Sequence, residues 1–338
     1  MKITIHEIAR ALDIDSSTVS RALNGSSRVS DKTRKKILAK ADEMGYSPNR
    51  LASNLRRNKS NTIGVVIPRI SRYFFSTIIA GVEEAAFSQG YNVVISQSLE
   101  ESSRESKILD NFITHRMDGV LMSIAWEEKS VDHLKKLIKS NTPLVFFDRH
   151  ADEFQELNKV IINDYQGAFE ATEHLIFQGC KKIVHLAGPQ TLELYRKRLA
   201  GYKMALKKHD LIFHESMVNE SRLVIEDGAI AIRELIQKHP DLDGLFSAND
   251  RAAVDAMKVL QKMGKRIPED IAIAGFSNDP LSLVTDPPLT TVDQFGFEMG
   301  KKACRLLIDR INNQEDSMAN ETVVIAPKLI IRASSKRF

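Results

Sequence analysis

A small all-α head joined to a larger α/β body is the architecture that this 338-residue sequence predicts. Three observations predict it. Short amphipathic segments parted by polar turns fill residues 1–47. From Ile63 onward short apolar runs alternate with helical stretches, the grammar of parallel sheets covered by helices on both faces. The charge divides at the same place. Residues 1–60 hold 13 Lys and Arg against 6 Asp and Glu, and the rest holds 35 against 38. A basic head on a slightly acidic body points to a polyanion partner for the head alone.

The remaining totals exclude more than they specify. A hydrophobic share of 43% with 27% charged residues is ordinary for a soluble globular chain, and the length allows roughly two or three domains. Cys180 and Cys304 stand far apart without metal or redox spacing, and the histidines are scattered. The opening residues lack an apolar signal core, and no apolar run reaches about eighteen residues, so a cytoplasmic protein without a membrane partner is expected. No G-x-G-x-x-G follows a strand, and no Walker loop, H-E-x-x-H or G-x-S-x-G elbow occurs. Acid pairs such as Glu100-Glu101 read as solvated helix starts. Catalysis, a cofactor and a metal site are therefore not expected.

In the head, Thr4-Ile5-His6-Glu7 fits a capping box, with Ile3 and Ile8 placed as its hydrophobic staple. Ile5, Ile8, Ala9 and Leu12 line one face of a first helix. After the turn Asp13-Ile14-Asp15, either Asp15 or Ser16 can cap a second helix that turns Val19, Ala22 and Leu23 inward. Its other face carries Ser16, Ser17, Thr18, Ser20, Arg21 and Asn24. Short hydroxyls permit close approach to DNA, and Arg21 is long enough to fork onto a guanine edge. Ser30 caps a third helix with Ile37, Leu38, Ala41 and Met44 at helical spacing, and Gly45 suits its C′ position. This order of helices is what a helix-turn-helix needs to set one helix in the major groove.

The segment after Tyr46-Ser47 adds a second element. Pro48 to Arg56 spans about two turns, too short to be a stable helix alone, and places Leu51 and Leu55 four apart beside Arg56-Arg57. Apolar wedges flanked by arginine are what minor-groove proteins insert between base steps. In order and spacing, Ile5-His6-Glu7-Ile8-Ala9, Ser17 to Asn24, and Tyr46-Ser47-Pro48-Asn49 with Ala52 and Leu55 resemble the head of the lactose/galactose-repressor (LacI/GalR) family. The resemblance implies that Ser16, Ser17 and Arg21 read bases, and that Leu55 from two subunits opens the centre of a pseudo-palindromic operator. Thr4, Ile5, Thr18, Ser20, Asn24, Tyr46, Asn49, Ala52 and Arg56 complete the expected DNA-contact set.

The body begins with a buried strand at Ile63–Pro68, a helix over 75–89 and a strand at Tyr91–Ile95. Further apolar runs lie at 119–122, 143–147, 160–162, 183–187, 244–246 and 271–275. The pattern repeats at long range. Ile63–Ile67 followed by Ile79-Ala80-Gly81-Val82 is echoed by Ile183–Ala187 followed by Leu199-Ala200-Gly201-Tyr202, and Asp118-Gly119 by Asp243-Gly244. Two similar lobes in tandem imply a cleft beyond their strand ends, where ligands of such folds bind. Arg69, Ser71, Tyr73 and Phe74, then Asp148 and Arg149, Arg196 and Arg198, and Ser247, Asn249 and Asp250 follow those ends. Forked arginines and carboxamides there suit a small hydroxylated ligand.

Tyr73–Ser76, Phe147-Asp148-Arg149, Arg198–Tyr202, Asn249-Asp250, Pro287–Val292 and Leu329–Ser334 extend the resemblance through the effector domain of the same family, and more distantly to periplasmic sugar-binding proteins. It implies two Rossmann-like lobes of periplasmic-binding-protein type. Arg198, Asp148 and Asn249 become the leading effector contacts, with Phe74 and Ser247 next, and Tyr73, Arg196 and Ser277 completing the set. Ser277 stands where the family often has an acidic residue after Gly-Phe. No heptad tail follows Arg332, so a homodimer is the expectation.

The chain is thus expected to divide into a head over 1–47, a hinge helix and linker over 48–61, and an effector-binding and dimerisation body over 62–338. The lobe boundary is expected near 162, with the chain crossing back near 292 and 326. The implied function is a repressor that binds a double-stranded operator as a dimer under control of a small effector, most simply a sugar or sugar derivative. A solute-binding protein of the sugar-binding type is the alternative, opposed by the basic head.

Overall fold

The computed structural model describes residues 3–23, 25–46, 59–126, 131–154, 156–224, 226–313 and 319–338. Asn24, Asn49, Ala52, Leu55 and Arg56, and with them the expected hinge over 48–57, lie outside the described residues. The chain separates into two compact units, Met1–Ser60 and Asn61–Phe338.

The first unit is built from α1 (Ile5–Leu12), α2 (Ser16–Leu23) and α3 (Asp31–Glu43). Thr4 and Glu7 form the reciprocal cap: the Thr4 hydroxyl accepts from the Glu7 amide at 3.4 Å, and the Glu7 carboxylate accepts from the Thr4 amide at 2.6 Å. That backbone bond, aided by the Thr4 hydroxyl, holds the Glu7 carboxyl below its ordinary range. Asp13 ends α1 at a φ of +52°, and Asp15 rather than Ser16 opens α2 by accepting the Ser17 amide at 2.7 Å. Ser30 caps α3, and Gly45 turns the chain away from it at a φ of +65°. Ile8, Ala9, Val19, Ala22, Val29, Ile37 and Ala41 form the shared core. Leu38, placed inward by its spacing in sequence, is instead 46% exposed. Ile37 and Ala41 occupy the inward stripe of α3, and one residue further along a helix turns a side chain by about 100°.

In the second unit, β1 (Thr62–Ile67), β2 (Asn92–Gln97), β3 (Gly119–Met122), β4 (Leu144–Phe147) and β5 (Lys159–Ile162) form a parallel sheet with β11 (Thr322–Ile325), in the order β11-β5-β4-β3-β1-β2. A second parallel sheet runs β7-β6-β8-β9, from β6 (Ile183–Ala187), β7 (Val218–Glu220), β8 (Gly244–Ser247) and β9 (Ala272–Ala274). β10 (Thr291–Asp293) and β12 (Lys328–Ile330) pair antiparallel beside it. Between the strands lie α4 (Tyr73–Ser88), α5 (Ser102–Thr114), α6 (Asp132–Lys139), α7 (Asp164–Phe177), α8 (Glu193–Lys208), α9 (Asp227–Lys238), α10 (Asp250–Lys262) and α11 (Gly296–Asn312). Strand alternation divides the core: Ile63, Val65 and Ile67 of β1 join the cluster under α4 and α11, while Val66 joins the one containing Leu109 and Phe112 of α5.

Each lobe borrows a helix across the chain order. α7 follows a strand of the first sheet but packs on α8 and the second sheet, whereas α11 follows β10 yet packs on α4 and strands β3, β4 and β5. Glycines set both helix pairs. A methyl on Gly81 would sit 2.0 Å from the Phe297 carbonyl oxygen, and one on Gly201 would sit 2.3 Å from that of Tyr165. The sequence echo at those two glycines therefore marks equivalent helix contacts. The Asp-Gly echo also has one role: Asp118 accepts the Asn61 amide ahead of β1, and Asp243 accepts the Lys181 and Lys182 amides ahead of β6.

Candidate functional site

In the head, the burial of Val19 and Ala22 orients α2. Ser17 and Arg21 lie exposed one turn apart, and Ser16, Thr18 and Ser20 are half-buried around them. This is a surface of small hydroxyls around one long forked donor, which matches what close approach to a base edge requires. Thr4 is exposed, with its hydroxyl engaged by Glu7, while Ile5 and Tyr46 rest partly against the head core.

In the body, a cleft opens between the strand ends of the two lobes, the place where ligands of such folds bind. Tyr73, Phe74, Asp148, Arg198, Asn249 and Ser277 line it. Phe74 reaches it because the first turn of α4 directly follows β1, and Asn249 because it caps α10 by accepting the Ala252 amide at 2.8 Å. Asp148 and Ser277 hold φ values of +60° and +127°. Strain of this kind in two non-glycine residues persists only where the surroundings fix it, and functional sites collect it.

Arg198 is the most constrained of the set. It is 3% exposed, donates to Asp164 at 2.8 Å and to the Ala248 carbonyl at 2.7 Å, and its guanidinium carbon lies 3.7 Å from the Phe276 ring centroid. Asp148, enclosed by protein, has its carboxyl pushed up to about 6, chiefly by burial, with Arg149 opposing. Asp250 at the next strand end is pushed up to about 7 by burial, although the Thr291 hydroxyl and the Asp279 amide both donate to it.

Two expected contacts are placed elsewhere. Arg196 donates to the Gln190 and Thr191 carbonyls and to Asp152 at 2.7 Å, next to a 2.5 Å His150–Glu193 contact, so it ties the loop after β4 to the start of α8. Two residues before Arg198 on a helix, it points about 200° away from it. Ser247 is fully buried and donates to the Asn249 carbonyl, which supports the cleft wall without forming it. Of the other strand-end residues, Arg149 and Asp250 line the cleft, whereas Arg69 and Ser71 do not.

Sequence reasoning missed Arg72, Glu100, Tyr195, Arg222, Arg251 and Gln294 on the same wall. Glu100 corrects the reading of the Glu100-Glu101 pair as solvated. It is 7% exposed at a φ of +69°, accepts Arg149 at 2.9 Å and accepts the Trp126 amide at 3.1 Å. Only its partner, Arg149 at a strand end, carried a signal in the sequence. Trp126, the single tryptophan, also lines the cleft, beneath the Arg222 guanidinium at 5.3 Å.

Comparison with known proteins bears on both units. Residues 4–49 match the family model described as bacterial regulatory proteins, lacI family, and residues 172–335 match a periplasmic binding protein-like domain. The HTH-type transcriptional repressor CytR of Escherichia coli (strain K12) is 33% identical over 335 residues, covering 98% of this chain and 96% of the relative. A ribose operon repressor of Halalkalibacterium halodurans is 33% identical over 98% of this chain and 97% of its own length. Among solved structures, the lac repressor dimer bound to operator and the anti-inducer ONPF superposes with a TM-score of 0.86 at 25% identity, covering 99% of both chains. Among the described residues, no helix is long and apolar enough to cross a membrane. With a helix-turn-helix ahead of two α/β lobes and these relatives along nearly its whole length, the chain belongs to the LacI family of DNA-binding transcriptional repressors, which are not enzymes.

Proposed function

We propose that the protein binds a pseudo-palindromic operator as a homodimer and that a small hydroxylated effector, a sugar or sugar derivative, controls this binding from the inter-lobe cleft. The observation that carries the reading is the cleft, where Asp148, Arg198 and Asn249 meet beside Phe74 at the strand ends of both lobes. Carboxylate, guanidinium and carboxamide groups can satisfy several hydroxyls, and the aromatic side chains can cover an apolar ring face. Operator and dimer are named for the lac repressor, and a ribose operon for another relative. Those names support the choice of partners without specifying them for this chain.

In the head, Ser16, Ser17, Thr18, Ser20, Arg21 and Asn24 are assigned to the major groove, with Thr4, Ile5, Tyr46 and Asn49 flanking them. Ala52, Leu55 and Arg56 are assigned to the minor groove at the operator centre. An effector that binds one arrangement of the lobes more tightly than the other shifts the population of DNA-competent dimers by that difference in affinity. The test begins with selection of duplexes from a randomised pool, followed by titration with and without sugars. Binding to a two-fold symmetric site that weakens steeply with salt, and that a sugar alters, is the expected result. A retained preference for single half-sites by a monomer, or sugar binding without any effect on DNA affinity, overturns it.

A further inference from the structure

Two of the arginines that line the cleft stand outside the ion pairs that hold Arg149 and Arg198. Arg149 is paired with Glu100 at 2.9 Å, and Arg198 with Asp164 at 2.7 Å. Asp250 accepts from Thr291 and from the Asp279 amide, and Asp279 in turn accepts the Leu281 amide. Arg72, immediately before α4, and Arg251, in the first turn of α10, line the cleft from different lobes. Among the described residues, no carboxylate lies within ion-pair distance of either. Burial and then the charge of Arg251 pull the Arg72 guanidinium below its ordinary range, with Arg149 and Arg69 adding to the effect. Like charges held together in a partly desolvated site repel until an anion enters.

The backbone points the same way. Tyr73, Phe74 and Phe75 form both the first turn of α4 and part of the cleft wall, and no side chain caps that turn. The positive end of a 16-residue helix therefore faces the same space as the two arginines.

We propose that the effector is a phosphomonoester of a small hydroxylated molecule, with its phosphate seated between Arg72 and Arg251 at the start of α4. The inference rests on the effector reading above and specifies the ligand class. Two forked guanidiniums and uncapped amides complement the three terminal oxygens of a phosphate dianion, whereas a carboxylate offers two oxygens and one charge. Asp148 and Gln294 also line the cleft and can meet the hydroxyls.

The full chain is titrated with inorganic phosphate, ribose 5-phosphate, glucose 6-phosphate, fructose 1-phosphate, the matching free sugars and gluconate. Binding is followed by Trp126 fluorescence and by thermal shift. At least one sugar phosphate is expected to bind more tightly than its free sugar and to compete with inorganic phosphate. Arg72→Gln and Arg251→Gln should each weaken that binding about ten-fold or more, the worth of a charged hydrogen bond. Arg69→Gln, off the cleft wall, should change it less than two-fold. A free sugar that binds tightly and equally to wild type, Arg72→Gln and Arg251→Gln overturns the phosphate inference while leaving the effector reading intact. Tighter binding of gluconate than of every phosphate also overturns it. If no small molecule alters operator affinity, the effector reading itself fails, and that result is distinguishable from both others.

Discussion

Arg198 and Asp164 meet at 2.7 Å inside the second lobe, and their contact fixes the first turn of α7 against α8. Both are almost fully enclosed, so neither charge has water as an alternative partner. Removing one partner of such a pair costs about 3–5 kcal/mol, because the other is left buried and unpaired. Arg198→Ala should therefore destabilise the body by that amount in urea unfolding as well as weaken effector binding. The double variant Arg198→Met with Asp164→Leu should recover most of the stability and none of the binding. A single variant that unfolds within 1 kcal/mol (about) of wild type refutes the assignment.

Arg21 lies exposed on α2 and contributes no packing to the head core. Arg21→Ala should leave the helical circular-dichroism signal and melting temperature unchanged. It should cost about 1–3 kcal/mol of operator affinity and relax preference at one base pair. Equal affinity and unchanged base preference in a titration would remove Arg21 from the reading set.

The glycine contacts between helices give a paired test. Gly81→Ala and Gly201→Ala each push a methyl against backbone atoms of the partner helix, where no rotamer can give way. Overpacking of this kind costs about 1–3 kcal/mol. The two variants should lose similar stability in denaturant titrations, since they occupy equivalent places in the two lobes. A helix-propensity gain with no loss at either position would show that the helices separate freely.

The buried carboxyls make stability depend on pH. Asp250 titrates near 7 and Asp148 near 6 when folded, against about 4 for an unfolded aspartate. Over that interval the folded chain keeps protons that the unfolded chain has released. The contribution is fully present below about pH 4 and is lost as pH rises through about 6 to 7. His185, lowered by burial to about 4, acts in the opposite sense and loses stability as pH falls below about 6.5. The carboxyl effect is therefore best read as the difference between wild type and Asp250→Asn across pH 6–8.5. The variant should gain relative stability as pH rises, because an amide cannot ionise and still offers an acceptor to the Asp279 amide. Parallel melting profiles across that range would show that Asp250 is ionised throughout.

The head was legible in the sequence because its signals are local. Thr4 with Glu7, Ser30 with Thr33, and Gly45 lie within a turn of the ends they shape. Leu38 was misplaced because spacing alone cannot choose between neighbouring apolar positions on a three-helix core with little interior. In the body, strands with four or more apolar neighbours stood out, whereas β7, with Asn219 and Glu220 at the sheet edge, offered no pattern. β11 escaped notice as well, since Thr322 and Val324 face outward on an edge strand. The cleft was legible where a residue directly follows a strand, as Asp148 and Asn249 do. Arg72, Arg222 and Gln294 were not, since only the meeting of distant loops brings them together. Glu100 shows the limit most clearly: its burial depends on Arg149, 49 residues away.

The exchange of α7 and α11 between lobes sets an order on synthesis. The head has all of its core side chains once Tyr46 has left the ribosome. The first lobe must wait for α11 and β11, supplied only by residues 296–325. A nascent or prematurely terminated chain therefore passes through a stage in which its head is complete and the first lobe of its body is not. Nonsense variants late in the body would then leave a head with its full core joined to a first lobe that lacks α11 and β11.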